Sequence, residues 1–141
     1  MRLTGEEGDN GLELAAEFIV PAAYTWGNGE KDREARKKIR ARLPKDVEWN
    51  RYEWFEIWID VRYSLLRPRL STKKARESWV SGKTMGPDAD NFAKPVCDAL
   101  TGIVYPDDHI LYLRHLRVNV ELVSERGDST FVRVFGKPKQ W

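Results

Sequence analysis

Between Gly86 and His109 five aspartates, Asp88, Asp90, Asp98, Asp107 and Asp108, stand in a stretch otherwise rich in apolar residues. Carboxylates crowded in this way repel one another and hold their protons more tightly unless a cation sits among them. A hard ion such as Mg²⁺ takes a few carboxylate oxygens and leaves positions for water and a substrate phosphate. Two such ions about 4 Å apart can clamp the attacking and leaving oxygens of an in-line phosphoryl displacement. Lys94, in the same stretch, can stabilise transition-state charge or orient the attacking water.

Each of these residues also has a plainer role open to it. Asp90 or Asn91 can cap a helix. Lys94 and Asp98 stand at i and i+4, where a surface ion pair is worth a few tenths of a kcal/mol; for Asp98 this is the preferred reading. Asp107-Asp108 after Pro106 can be an ordinary turn, and His109, which follows the acid pair, could reach a phosphate. An EF-hand is excluded, because the sixth and twelfth loop positions counted from Asp88 are Ala93 and Ala99 rather than Gly and Glu. A phosphatase-type Asp-x-Asp is excluded too, since residues 84–87 do not form the apolar strand it would follow.

The spacing says which elements could bring the acids together. Asp88 and Asp90 point to one side if the chain is extended before a helix that spans about residues 91–101 and closes at Gly102. At about 100° per residue, Lys94 lies about 40° and Asp98 about 80° from Asp90. Phe92, Ala93, Val96, Ala99, Leu100 and Ile103 fill the opposite arc, so the helix has an apolar back and a charged front. Residues 103–105 read as the lead into a buried strand, with Asp107-Asp108 at its turn.

Around this segment, residues 12–20 alternate loosely and end at Pro21, as a first strand would. Residues 30–43 are good helix formers that stop at Pro44, with acids at the start and bases at the end. Residues 52–63 form the clearest strand: Phe55, Ile57, Ile59, Val61 and Tyr63 share a core face, and Trp54, Glu56, Trp58, Asp60 and Arg62 share a half-covered one. Residues 70–82 read as a short helix with Ser71 as N-cap. Residues 116–122 and 130–135 read as two strands joined into a hairpin by the Arg126-Gly127-Asp128 turn. The expected fold is a single α/β (α+β) domain over residues 12–141, with a mixed, mostly antiparallel sheet packed against two or three helices. Residues 1–11 read as a mobile lead-in.

Composition narrows the chemistry. The chain has 141 residues, enough for one domain with a real core, and 33% are charged, above the usual quarter or so, which implies a wet surface. Its formal charge is only +2, so any polyanion surface must be local. The single cysteine, Cys97, excludes an internal disulfide and a cysteine-rich zinc site, and fits a small buried hydrophobe better than a reactive thiol. The first eleven residues lack the basic and apolar regions of a signal peptide, and no apolar run approaches the roughly 18 residues a membrane span needs; a cytoplasmic location is expected.

The run Pro87-Asp88-Ala89-Asp90-Asn91-Phe92-Ala93-Lys94, then Asp98-Ala99-Leu100, Gly102 and Asp107-Asp108, resembles the RusA family of Holliday junction resolvases. The resemblance implies that Asp88, Asp90 and Asp108 bind metal, that Asp107 is an auxiliary acid at the metal site, and that Lys94 is the catalytic lysine. It further implies a Mg²⁺-dependent, homodimeric endodeoxyribonuclease of bacterial or phage origin, with no small-molecule cofactor, that resolves four-way DNA junctions in recombination and repair. Pro95 and the opening of the chain, residues 12–44, depart from the family pattern. A branched DNA would be held through backbone charge and shape. The candidates for that contact are Arg67, Arg69, Lys73, Lys74, Arg76 and Lys83, a basic segment directly before the acids, with the basic helix over residues 31–42 second to it. The alternatives are a branched-DNA-binding protein with a degenerate site that does not cut, and a less selective nuclease acting on flaps or single strands.

Overall fold

In the computed structural model the described residues are 11–25, 29–67, 72–80 and 89–140. All of the expected lead-in over residues 1–11 except Gly11 lies outside them, as do Asp88, Arg69, Lys83 and the proposed cap Ser71. The elements follow in the order β1 (Glu13–Val20), α1 (Glu30–Arg42), β2 (Tyr52–Ser64), α2 (Lys73–Val80), α3 (Ala89–Leu100), β3 (Leu113–Val123) and β4 (Ser129–Pro138). Four strands make one mixed sheet in the order β1-β4-β2-β3, and with the three helices they form a single α+β domain. No helix among the described residues is long and apolar enough to cross a membrane.

Alternation along β2 sets the layer structure. Phe55, Ile57, Ile59, Val61 and Tyr63 are buried, and the residues between them are half exposed. The buried face meets Phe18 and Val20 of β1, Val132 and Val134 of β4, Ile39 of α1, and Phe92, Val96 and Leu100 of α3 in one core. Each fully buried aliphatic side chain there contributes about 1.5–3 kcal/mol. On the other face the indoles of β2 lie under cations of the neighbouring strand: Arg114 sits 5.1 Å from the Trp54 ring centre and Arg117 4.6 Å from that of Trp58.

The hairpin expected from residues 116–122 and 130–135 does not form. Instead β3 runs parallel to β2 at the sheet edge, while β4 lies between β2 and β1, antiparallel to both. Residues 124–128 carry the chain across the end of β2. Ser64 pins that crossing, its amide donating to Asp128 Oδ1 at 2.7 Å and its hydroxyl to the Glu125 carbonyl at 2.6 Å. Five residues reach across two strand spacings of about 4.8 Å without strain. A turn signal marks a reversal of the chain; it does not say which neighbour the next strand joins. Close approach then explains Gly136 of β4, where a Cβ would run into the ring of Tyr52 on β2.

Candidate active site

Helix α3 carries the middle of the acidic segment, and its packing agrees with the periodicity of its sequence. Phe92, Ala93, Val96, Ala99 and Leu100 are buried, Asp90 and Lys94 are exposed, and Asp98 is half-buried. Phe92 anchors the first turns edge-on against Tyr63 of β2, with ring centres 5.3 Å apart. Pro95 lies inside the helix and is buried; it offers no N–H to the carbonyl four residues back, yet α3 is unbroken from Ala89 to Leu100. With the helix starting at Ala89, Asp90 stands in its first turn rather than at its cap, where a carboxylate is favoured by the helix dipole. The short helix α2 is capped by Thr72, whose hydroxyl accepts the Ala75 amide at 3.0 Å.

The C-terminal end of α3 is tied down residue by residue. Arg40 of α1 donates through Nε to the Ala99 carbonyl at 2.7 Å and through Nη2 to the Thr101 carbonyl at 3.3 Å. The Cys97 carbonyl accepts from the Thr101 hydroxyl at 2.9 Å and the Tyr105 hydroxyl at 3.3 Å. Gly102, at φ +86°, turns the chain so that its amide reaches the Tyr105 carbonyl at 2.7 Å. Residues 101–105 are therefore a locked turn closed by a single bridge between Thr101 and Tyr105, not the start of a strand. β3 begins only at Leu113. The carbonyls left over at the end of a helix need partners, and here those partners also fix the turn that leads into Asp107 and Asp108.

That loop returns to α3. Burial pushes the Cys97 thiol up to about 12, and the charges of Asp108 and then Asp98 push it the same way, while the Tyr105 hydrogen bond and Lys94 oppose them. Tyr105 is raised too, by burial first and then by Cys97 and Asp108. Asp108 thus acts on the same helix that carries Lys94 and Asp98. Lys94 Nζ lies 3.5 Å from Asp98 Oδ1, with half of the lysine side chain exposed. Asp107 Oδ1 accepts the His109 amide at 2.8 Å, and His109 Nδ1 accepts the Leu111 amide at 3.1 Å, so both side chains serve the turn.

Among the described residues no three His, Cys, Asp or Glu side chains gather into a ligand set, and Asp88 lies outside them. The donors that are described suit a hard cation. Asp90 and Asp108 are exposed carboxylates with no hydrogen bond or ion pair to another described residue. Of the basic candidates, Lys73 and Lys74 are exposed and Arg76 is half-buried. Arg67 is taken up by the fold: Nη2 holds both Asp128 oxygens at 2.7 and 2.8 Å, Nε donates to the Ser64 carbonyl at 2.7 Å, and the guanidinium lies 3.8 Å from the Tyr63 ring centre. Sequence reasoning missed Arg40, which looks like any other cation of a basic helix and is separated by 59 residues from the carbonyl it caps.

The family model described as endodeoxyribonuclease RusA matches residues 12–134, nearly the whole described chain. No curated protein and no solved structure matches it.

Proposed function

The chain belongs to the RusA endodeoxyribonuclease family, and from that premise we propose that it resolves four-way DNA junctions by paired, symmetric nicks, with Asp88, Asp90, Asp107 and Asp108 as the acid site and Mg²⁺ as its ion. What supports this reading is that α3 leaves Asp90 and Lys94 exposed while the charge of Asp108 acts on Cys97 of the same helix. When bound, the cation supplies Lewis acidity to the scissile phosphate and lowers the cost of forming hydroxide from water.

The chain's own residues do the remainder. Asp90 and Asp108 offer oxygens on two separate elements, so their spacing depends on the locked turn over residues 101–105. Among the described residues Lys94 has one weak partner, Asp98, and its ammonium can turn to a phosphate oxygen and offset charge as it develops. Lys73 and Lys74 of α2, on the chain just before the acids, supply backbone charge without reading base sequence. Two matched cuts in opposed strands call for two matched sites, which a two-fold dimer supplies.

The test compares labelled four-way junction, flap and linear duplex with Mg²⁺ and with EDTA. Discrete, paired nicks in the junction alone, present only with Mg²⁺, are expected. Equal cutting of flap or linear duplex would replace the junction assignment with a less selective nuclease, and binding without nicks would mean a site that no longer cuts. Sedimentation on junction DNA is expected to give two chains per junction; one chain would remove the dimer.

A further inference from the structure

A cleft of about 460 Å³ opens between the 3-10 turn Trp49–Arg51, the start of β2 and the locked turn that follows α3 and leads into Asp107. Its volume falls in the range of small-molecule pockets. The floor is aromatic: Phe55 packs edge-on or tilted against Trp49, Tyr52 and Tyr105, with ring centres 6.1, 5.6 and 6.1 Å apart. Trp49 and Tyr112, both half-buried, line it as well. Polar groups stand among the lining residues too, notably the exposed Asn50, Glu53 and Lys139. Pro106, another lining residue, is bonded directly to Asp107.

A flat ligand with two π-faces, a polar edge and an attached negative charge matches this lining. The rings offer stacking, Asn50 and Glu53 offer an acceptor, donors and a carboxylate, and Lys139 offers a cation. A paired duplex cannot enter a space of this size; one base displaced from its stack can. We propose that the cleft receives a single unstacked nucleobase next to the phosphate being cut. The inference rests on the nuclease reading above and adds to it a way of selecting strands that are already loosened, as at the crossover of a junction, because a base costs less to displace there than inside a duplex.

The experiment uses the full chain in EDTA, with four-way junctions carrying 2-aminopurine at successive positions around the crossover, and binding followed in parallel by mobility shift. Bound junctions are expected to change emission several-fold at one position per strand and little elsewhere. In Mg²⁺, Tyr112→Ala is expected to slow cutting about tenfold, the scale of one lost base–aromatic stack. It should do so only on intact junctions: on a junction abasic at that position, wild type and variant should cut alike, which a merely structural loss would not produce. Asn50→Ala, at an exposed position, gives a second variant whose folding is not at risk and should weaken the same emission change. Tight junction binding with unchanged emission at every position overturns the cleft's role and leaves the nuclease reading standing. Failure to bind junctions at all overturns both.

Discussion

The two ends of α3 are built on opposite plans. Its C-terminal carbonyls are taken up by Arg40, Thr101 and Tyr105, and the amides of Thr101, Gly102, Ile103 and Val104 beyond it all find backbone acceptors. Among the described residues, the exposed side chains near its N-terminus, Asp90 and Lys94, have between them one weak bond, to Asp98. The locked end is where the fold is held, and the open end is where charge is left available. If the exposed carboxylate serves a cation and the locked end serves the fold, stability and activity should respond to different substitutions at the two ends of this helix of twelve residues.

The largest separation is expected at Asp90. Asp90→Asn keeps shape and removes the charge a hard cation needs, so nicking in Mg²⁺ should fall roughly 10²–10³-fold, on the scale of losing a main electrostatic contributor. Stability should fall by no more than about 1 kcal/mol, the worth of a first-turn carboxylate at the helix dipole. Junction affinity in EDTA should hold or rise, since the amide does not repel phosphate. Thermal melts, quantitative nicking and mobility shifts read the three quantities, and wild-type nicking rates would remove Asp90 from the site.

Lys94→Ala should come next, slowing nicking by tens to a thousandfold while leaving the Mg²⁺ dependence of the rate unchanged, because an ammonium is not a ligand. Asp98→Asn makes the companion test. If the pair only decorates the surface, both substitutions leave nicking within about twofold; if Lys94 serves the phosphate, only the lysine matters.

The locked end should answer in the other coordinate. Arg40→Ala removes one bond to the Ala99 carbonyl of α3 and one to the Thr101 carbonyl just beyond it and should cost about 1–2 kcal/mol, a fall in Tm of a few degrees at this chain length. The Asp107-Asp108 loop loses part of its support, so nicking should decline by less than tenfold, far less than for Asp90→Asn. A loss of nicking as large as that of Asp90→Asn, with Tm unchanged, would make Arg40 part of the chemistry and erase the contrast between the two ends.

How much of this could be seen beforehand follows from what periodicity reports. The two faces of β2 and the apolar back of α3 were legible because burial repeats every two residues in a strand and about every 3.6 in a helix. Strand partners were not, because alternation names a face and not a neighbour; Leu116, Val118, Val120 and Leu122 would alternate identically beside β4 or beside β2. Long-range side-chain roles were equally hidden. Arg67 and Arg40 belong to basic runs, yet one braces Asp128, 61 residues away, and the other caps a helix. The motif residues were recognisable by type and spacing, while the return of Asp108 to α3 depends on a turn that the sequence presents as the start of a strand.

The smallest expected effect is also the most direct measure of that return. The Cys97 thiol has an ordinary value of 9.0 and is pushed up to about 12, mainly by burial and next by Asp108. In the unfolded chain the thiol releases its proton near its ordinary value, whereas the folded chain holds it. Above about pH 9 the unfolded state therefore binds fewer protons than the native one, and stability falls with rising pH until the folded thiol also ionises. Below that window the contribution is complete. Asp108→Asn removes a raising influence and should shift the Cys97 titration downward, narrowing the alkaline window, whereas Asp107→Asn, whose charge is not among the causes of the shift, should leave it in place. The ¹³C shift of selectively labelled cysteine Cβ, followed against pH in EDTA, reads both. Equal movement by the two substitutions, or none by either, would mean that Asp108 does not lie against α3 and that the two halves of the acid site are further apart than the proposed chemistry requires.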